Sequence, residues 1–246
     1  MTNAARFLPC GDTALIVEFG DRIDRRISGL VIALAERLKA AALAGVVELV
    51  PTFRSLLVHY DPAVLPNAEL KARLLPMIED LEPAERAGRV WRIPACYDMS
   101  VGPDLAELAT TTGLAPSDIA ARHSAVTYQV YMIGFLPGFP YMGDVPPELQ
   151  VPRKQNPRVA VPRGSIAIAT TLTAIYPLES PGGWHLIGRT PVPLWDLGDD
   201  PPTLLAAGDS VVFEPVSLEA YESILARVEA RDFRLRPEPR HAGPAA

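Results

Sequence analysis

The chain of 246 residues is 48% hydrophobic, enough for one large folded domain or two of ordinary size. Its 23 basic and 29 acidic side chains give a net charge of -6, so no overall basic field would attract nucleic acid or an anionic membrane. The N-terminus lacks a signal-peptide pattern, and no apolar run approaches the roughly 20 residues of a membrane helix. We therefore expect a cytoplasmic protein without nucleic-acid or membrane partners.

The first part of the chain alternates strand and helix patterns. A strand over Thr13–Phe19 precedes Asp24, a residue type that caps helix N-termini, and an apolar stripe with helical spacing follows. Two strands and a second helix come next, over 46–50, 55–60 and 67–81. A strand at 89–94 would complete a ferredoxin-like unit, whereas 82–88 could equally be the linker out of it. We place a ferredoxin-like domain at 1–88.

Beyond residue 88 the pattern becomes mainly β. Two short helices are predicted over 104–112 and 117–123, with Gly113 suited to end the first. Many short strands and tight turns follow, which is typical of a closed barrel or a sandwich. We expect a β domain over 89–232 and a disordered, proline-containing tail over 233–246. The clearest strands and the last helix are at 126–133, 165–170, 184–187, 210–214 and 217–228.

Several familiar site motifs are missing from the sequence. It contains no GxxxxGK[ST] phosphate loop, no GxGxxG dinucleotide turn, no HExxH and no GxSxG. The four histidines are scattered, and the two cysteines, Cys10 and Cys96, are far apart, so neither zinc nor a disulfide framework is indicated. Any catalysis is therefore unconventional or shared with another chain.

The segment ESPGGWHLIGRT, Glu179–Thr190, is one candidate site. Gly182 and Gly183 would let backbone amides approach an anion, and Arg189 could offer a forked donor to a carboxylate or phosphate. The alternative is structural: a hairpin turn with Trp184 packed beneath it and Arg189 paired with Glu179.

A second candidate is the loop GFLPGFPYMGD, Gly134–Asp144. It carries Phe135, Phe139 and Tyr141 on a backbone stiffened by proline and glycine. Such a loop can form the wall of a pocket or cover a partner surface. It can equally fold back over the β domain and bury its own rings.

The remaining candidates are ionisable side chains outside these two segments. Arg153, Lys154, Arg158 and Arg163 are close enough in sequence to bind a phosphate or an acidic partner, or they form a solvated rim. His123 falls at a helix end, where it is either a half-buried structural residue or a general base. Cys96 follows a strand and is expected to be a packed small hydrophobe.

Long motifs in order along the chain resemble one protein family. They are GDTALIVEFGD, VPTFRSLLVHYDP, HSAVTYQVYMIGFLPGFPYMG, NPRVAVPRGS and IYPLESPGGWHLIGRTP, and the likeness runs from about Phe7 to Pro215. The family is variously called the B subunit of 5-oxoprolinase, Kip-type sensor-kinase inhibitor and allophanate hydrolase subunit 1. The resemblance implies a ferredoxin-like N-terminal domain followed by a cyclophilin-like β-barrel.

The resemblance also implies an enzyme that is shared between chains. Together with a C subunit, this chain would open 5-oxoproline to glutamate at the expense of ATP, with hydrolysis completed by an A subunit. The complex would bind the ATP together with Mg²⁺, and this chain would be inactive alone. The alternatives are an inhibitor that binds a sensor histidine kinase and an accessory protein for the hydrolysis of urea-derived allophanate.

By the same resemblance we expect the reaction centre near the SPGGW and GRT segments. The catalytic candidates are Arg189, Thr190 and His123, and the substrate-binding candidates are Tyr176, Glu179, Ser180, Gly182, Gly183, Arg153 and Arg158. The chain departs from the family at AIATTLTAIYP, where Leu172 replaces a glutamine, and at CYDMSVGPDL, where GGEFGPDL is usual. These departures put the substrate in question, because loss of a polar group can change discrimination.

Overall fold

The computed structural model of the chain describes residues 5–83 and 88–238. The chain divides into two compact units, residues 1–87 and 88–246, and each has its own buried apolar cluster. Every helix in the described part of the chain is too short or too polar to cross a membrane.

The first unit is an antiparallel four-stranded sheet with two helices. In the sheet the strands follow the order β1-β2-β4-β3. Their bounds are β1 Arg6–Pro9, β2 Ala14–Glu18, β3 Val46–Pro51 and β4 Ser55–Tyr60, and the helices are α1 Arg25–Ala41 and α2 Asn67–Glu79.

Helix α1 begins and packs as its sequence predicts. The Asp24 carboxylate accepts hydrogen bonds from the backbone N–H groups of Arg26 and Ile27 (2.9 and 3.1 Å), which satisfies donors that the first turn leaves unpaired. The apolar stripe of α1 is buried in one cluster with α2 and the sheet, and removal of this surface from water is the main stabilising contribution. Confirmed members of the stripe are Leu30, Val31, Leu34 and Leu38.

The fourth strand of this sheet is not the one that the sequence suggested. The segment near 89–94 forms a strand of the second unit, and the edge position beside β2 is taken by β1, Arg6–Pro9. Strand β1 was missed because it is short and contains a proline, which is tolerated at a sheet edge. The ferredoxin-like description of this unit remains a prediction.

The second unit contains a closed seven-stranded β-barrel, consistent with a cyclophilin-like architecture. Around the barrel the order is β10-β7-β6-β13-β5-β12-β9, and β9 pairs with β10 to close it. All its neighbouring strands are antiparallel except β5 and β13, which are parallel. The barrel strands are β5 Val90–Cys96, β6 Thr127–Ile133, β7 Pro140–Gly143, β9 Ser165–Ala169, β10 Leu172–Ile175, β12 His185–Arg189 and β13 Ser210–Val216, while β8 Arg158–Val161 and β11 Ser180–Gly182 form a separate two-stranded sheet.

The α-helices described in this unit are α3 Leu105–Thr112, α4 Pro116–Ser124 and α5 Leu218–Glu229, and a short 3-10 helix spans Pro147–Leu149. Gly113 ends α3 with a positive φ of 72°, a conformation that glycine adopts without steric cost, as predicted. The barrel interior is filled by large apolar side chains, among them Ile93, Tyr128 and Phe213, each at most 1% exposed. A packed interior of this kind is a rigid support for the loops around it.

One prediction for this unit needs correction. Residues Pro140–Gly143 of the expected aromatic loop form β7, because they pair with both β6 and β10. Of the tail expected to be disordered, the structure describes residues through Glu238, whose backbone N–H donates to the Val90 carbonyl (2.8 Å), and disorder of the tail remains a prediction. The remainder of that tail, 239–246, lies outside the described residues.

Candidate functional site

One cavity of about 310 Å³ brings together three segments that contain predicted site residues. The aromatic loop, the basic segment and the glycine turn all contribute to its lining. These segments are separate along the chain, and the folding of the second unit joins them around one cavity. The lining residues are Phe135, Phe139, Tyr141, Arg153, Lys154, Pro157, Tyr176, Pro181, Gly182, Gly183 and Trp184.

Aromatic rings form one wall of this pocket. Phe139 lies at the centre, and its ring centroid is 4.9 Å from that of Tyr141, 5.1 Å from that of Tyr176 and 6.1 Å from that of Trp184. The pairs with Tyr176 and Trp184 meet edge to face, a favourable arrangement for aromatic quadrupoles. Phe139 is 2% exposed, whereas Phe135 is 63% exposed. The loop therefore both buries its own ring and presents a flat apolar surface.

Gly182 allows Tyr176 to enter the pocket. A Cβ atom built on Gly182 would lie 2.3 Å from the Tyr176 hydroxyl oxygen, whereas one on Gly183 would meet only ordinary contacts at 3.6 Å. Burial raises the pKa of Tyr176 to about 12, although the positive charge of Arg153 acts in the opposite direction. The Tyr176 hydroxyl thus keeps its proton at neutral pH and can donate a hydrogen bond.

The basic segment is fastened to the glycine turn on both sides of Arg153. The Lys154 backbone N–H donates to the Gly183 carbonyl (2.8 Å), and His185 Nε2 donates to the Pro152 carbonyl (3.0 Å). The Arg153 guanidinium lies over the Trp184 ring, with Cζ 5.7 Å from the ring centroid. A cation is therefore held at the edge of an aromatic pocket.

Asp104 is the buried carboxylate behind this arrangement. It is 2% exposed; Oδ1 accepts from Lys154 Nζ (3.1 Å) and Arg158 Nη2 (2.6 Å), and Oδ2 accepts from the Leu186 backbone N–H (2.7 Å). Burial alone would raise the pKa of Asp104, but these three hydrogen bonds outweigh burial and lower its pKa. The ionised carboxylate joins the start of α3 to the basic segment and to β12.

Asp104 was not among the predicted site residues. An aspartate directly before a helix is normally interpreted as an N-cap, yet the Asp104 side chain makes no capping hydrogen bond. The available signal was the GPDL sequence together with the cluster of cations at 153–158. Their proximity could not be predicted without the barrel.

Other predicted site residues lie outside the pocket lining. Arg189 Nε donates to the Arg163 carbonyl (2.7 Å). Thr190 is buried, and its hydroxyl accepts from the Val192 N–H (3.2 Å). Glu179 is exposed, and Ser180 is buried in β11. Their catalytic and binding roles remain predictions.

Arg158 is near the pocket without lining it. Its Nη1 atom is buried and has no hydrogen-bond partner among the described residues, while Nη2 is paired with Asp104. The positive charge of Arg158 also lowers the pKa of Tyr176, against the larger effect of burial. Arg158 therefore contributes to the electrostatic field of the pocket from behind its wall.

His123 lies in the last turn of α4, as predicted, but its side chain is fully buried rather than half-buried. The Thr173 hydroxyl donates to the Ala167 carbonyl (3.0 Å), so Thr173 accepts the proton of His123 Nε2 (2.9 Å). His123 Nδ1 then accepts from the Tyr97 hydroxyl (2.8 Å). Burial lowers the pKa of His123 to about 3, so the ring is neutral. Both ring nitrogens are engaged within the core, away from the pocket lining.

No group of three His, Cys, Asp or Glu side chains within the described ranges could hold a metal ion. Cys96 is buried, and burial raises the pKa of its thiol, as expected for a packed small hydrophobe. The chemistry that the described pocket itself offers is therefore hydrogen bonding and charge from Tyr176, Arg153 and Lys154 beside an aromatic wall.

Comparison with known proteins identifies the family to which this chain belongs. The family model described as carboxyltransferase domain, subdomain C and D, matches residues 5–205. The chain belongs to this family.

Two named proteins and one solved structure are similar to this chain. A protein of Bacillus subtilis, named as the B subunit of 5-oxoprolinase, is 37% identical over 91% of this chain and 98% of its own length. The crystal structure of TTHA0988 matches with a TM-score of 0.75 and 39% identity, over 82% of this chain and 40% of that longer chain. A Saccharomyces cerevisiae protein named urea amidolyase is 27% identical over 85% of this chain and 13% of its own length.

We predict that Gly182→Ala destabilises the second unit by about 1–3 kcal/mol, the range for an overpacked buried site, because the new methyl group displaces the buried Tyr176 ring. Gly183→Ala is the matched control and should change the free energy of unfolding by less than about 0.5 kcal/mol. Urea denaturation measures both values. Equal effects of the two substitutions would contradict the role assigned to Gly182.

We also predict that His123 makes the protein less stable in acid. The folded-state pKa is about 3 and the ordinary value is 6.5, so between these pH values the unfolded chain binds a proton that the folded chain does not. Stability should fall as pH drops below 6.5, by about 2 kcal/mol at pH 5 from this residue alone. Urea denaturation of the parent and of His123→Gln at pH 7 and pH 5 isolates the contribution. The same loss in both proteins would show that His123 does not titrate in this way.

Proposed function

We propose that this chain is the B subunit of an ATP-dependent 5-oxoprolinase and acts in the cytoplasm with subunits A and C. The observation that carries this proposal is the pocket, in which the Arg153 cation and the Tyr176 hydroxyl lie beside an aromatic wall. The Bacillus subtilis relative, which this chain matches over nearly its whole length, supports the choice of substrate.

The chemistry of 5-oxoproline suits this lining. The molecule is a small, nearly flat lactam with one carboxylate. Its ring can lie against Phe139, Tyr141 and Trp184, and its carboxylate can pair with Arg153, whose guanidinium is held over Trp184. The cavity of about 310 Å³ is at the small end of the range for ligand pockets, which fits a ligand of this size.

The Tyr176 hydroxyl is the donor best placed for the lactam oxygen. A lactam carbonyl is a poor electrophile, and ATP would supply a phosphoryl group that makes its oxygen a better leaving group. Because Tyr176 retains its proton, it can donate a hydrogen bond to this oxygen and so orient the lactam for phosphoryl transfer. The aromatic wall keeps water from the ring and strengthens that hydrogen bond.

The described residues do not form a complete site for Mg²⁺ and ATP. The sequence has no phosphate-binding loop, and the described side chains provide no cluster of carboxylates for a divalent cation. We therefore assign the nucleotide and its Mg²⁺ to the assembled enzyme and derive no step of this chain through them.

A second polypeptide would complete the reaction centre. Phe135 is 63% exposed at the pocket, an apolar surface that a partner could cover. We assign this role to the C subunit.

A related activity on a urea-derived amide is the second candidate. It is favoured by the Saccharomyces cerevisiae relative named urea amidolyase. The same pocket would then accept allophanate, which is also a flat amide with one carboxylate. Inhibition of a sensor histidine kinase remains a prediction from sequence resemblance.

The direct test is to combine the purified chain with candidate subunits A and C and to measure ADP release. We expect release that requires both 5-oxoproline and this chain. Release with allophanate but not with 5-oxoproline would favour the second candidate. Lower autophosphorylation of a sensor kinase on addition of the chain alone, with no lactam activity in the complex, would favour the inhibitor.

Arg153→Ala and Arg189→Ala form a matched pair within this assay. Loss of a charge-assisted hydrogen bond costs roughly 1.5–3 kcal/mol, so Arg153→Ala should raise the KM for 5-oxoproline about tenfold or more. Arg189→Ala should change the KM by less than about threefold, because Arg189 bonds the Arg163 carbonyl outside the pocket lining. The reverse order of effects would place the carboxylate at Arg189.

A further inference from the structure

Among the described residues, some of the cations around the pocket are paired with a carboxylate and one is not. Arg153 and Lys154 line the pocket, and Arg158 lies behind it. Asp104 and Glu107 are the carboxylates that pair with these cations. Three cations and two carboxylates leave one net positive charge.

The two carboxylates form ion pairs with Lys154 and Arg158. Lys154 Nζ contacts both Asp104 and Glu107, and Arg158 Nη2 contacts Asp104. Burial lowers the pKa of Lys154, but both carboxylates raise it, and the net effect is a raised pKa. Lys154 is therefore charged and already compensated.

Arg153 is in a different position. Its guanidinium is stacked on the Trp184 ring, and it forms no ion pair with any acidic residue that the structure describes. An aromatic face attracts a cation without neutralising its charge. Arg153 is therefore the cation that remains available to an anionic ligand.

We propose that Asp104 and Glu107 limit the pocket to ligands with a single carboxylate. We call this limit the charge rule. It rests on the proposed function and deepens it, because the proposed substrate has one carboxylate, which pairs with Arg153. Any second carboxylate would approach a lysine that is already paired and two carboxylates of the same sign.

The charge rule also bears on product release. Opening of the lactam converts a ligand with one carboxylate into glutamate, which has two carboxylates and an ammonium group. The new carboxylate finds no uncompensated cation beyond Arg153 among the described lining residues. The pocket therefore binds the substrate in preference to the dicarboxylate that the reaction produces.

Glu107→Gln tests the charge rule with little risk to folding. The Glu107 side chain is 55% exposed and contacts the pocket only through Lys154, so its neutralisation frees part of the lysine charge. Glu148→Gln is the matched control, because Glu148 is similarly exposed at 46% and pairs with Arg122 away from the lining. Circular dichroism would check that both variants are folded.

The readout is calorimetry of the full chain in complex with candidate subunits A and C, with 5-oxoproline and glutarate as the two probes. Glutarate has two carboxylates and lacks the ammonium group. We expect Glu107→Gln to strengthen glutarate binding about two- to fivefold relative to 5-oxoproline, the range for a single exposed charge. Glu148→Gln should leave the ratio of the two dissociation constants unchanged.

An unchanged ratio in Glu107→Gln, or an equal change in Glu148→Gln, would overturn the charge rule. A complex that binds 5-oxoproline without consuming it would overturn the proposed function and still permit the comparison of the two probes. A parent complex that binds neither probe would contradict both proposals.

Discussion

The ionised carboxylate of Asp104 is the interaction on which the candidate site depends. It is 2% exposed and accepts hydrogen bonds from Lys154, Arg158 and the Leu186 backbone. Removal of a charge from water is costly unless the charge is paired, and here two cations and one N–H group provide that pairing. Because Asp104 must be paired with Lys154 and Arg158 to remain ionised, it also fixes the positions of these two side chains. The basic segment is held against the glycine turn, and Arg153 lies between Pro152 and Lys154, which are both hydrogen-bonded through their backbones.

The barrel supplies the rigidity that this arrangement requires. Large side chains such as Tyr128 and Phe213 fill its interior, and His123 is held there in a neutral form by Tyr97 and Thr173. The pocket lies outside that core. It is formed by residues in or next to β7, β10 and β11 and by the basic segment. The barrel interior and the pocket lining thus use different side chains, and the predicted catalytic histidine belongs to the interior.

Much of the fold could be predicted from periodicity and capping. The stripe of α1, its Asp24 cap and the Gly113 terminus are local features, and local physics determines them. The short strands at 140–143 and 172–175 were not predicted, because proline, glycine and short length hide their pairing. The pocket was predicted only in its parts, since the approach of Asp104 to Lys154 spans 50 residues and depends on barrel closure. Arg189 was a candidate because it could donate to an anion near the glycine turn, but it lies outside the lining, and Gly188 before it is required where β12 approaches the Cys96 carbonyl oxygen, 2.5 Å from an added Cβ.

Hydrogen exchange in Asp104→Asn tests the central claim most directly. The Lys154 amide, which donates to the Gly183 carbonyl, reports whether the basic segment stays on the glycine turn, and the Val130 amide, which donates to the Asp209 carbonyl in the barrel, is the internal reference. We expect protection of Lys154 to fall about tenfold or more while protection of Val130 is unchanged. Unchanged protection at Lys154 would contradict the claim that the Asp104 carboxylate holds the pocket together.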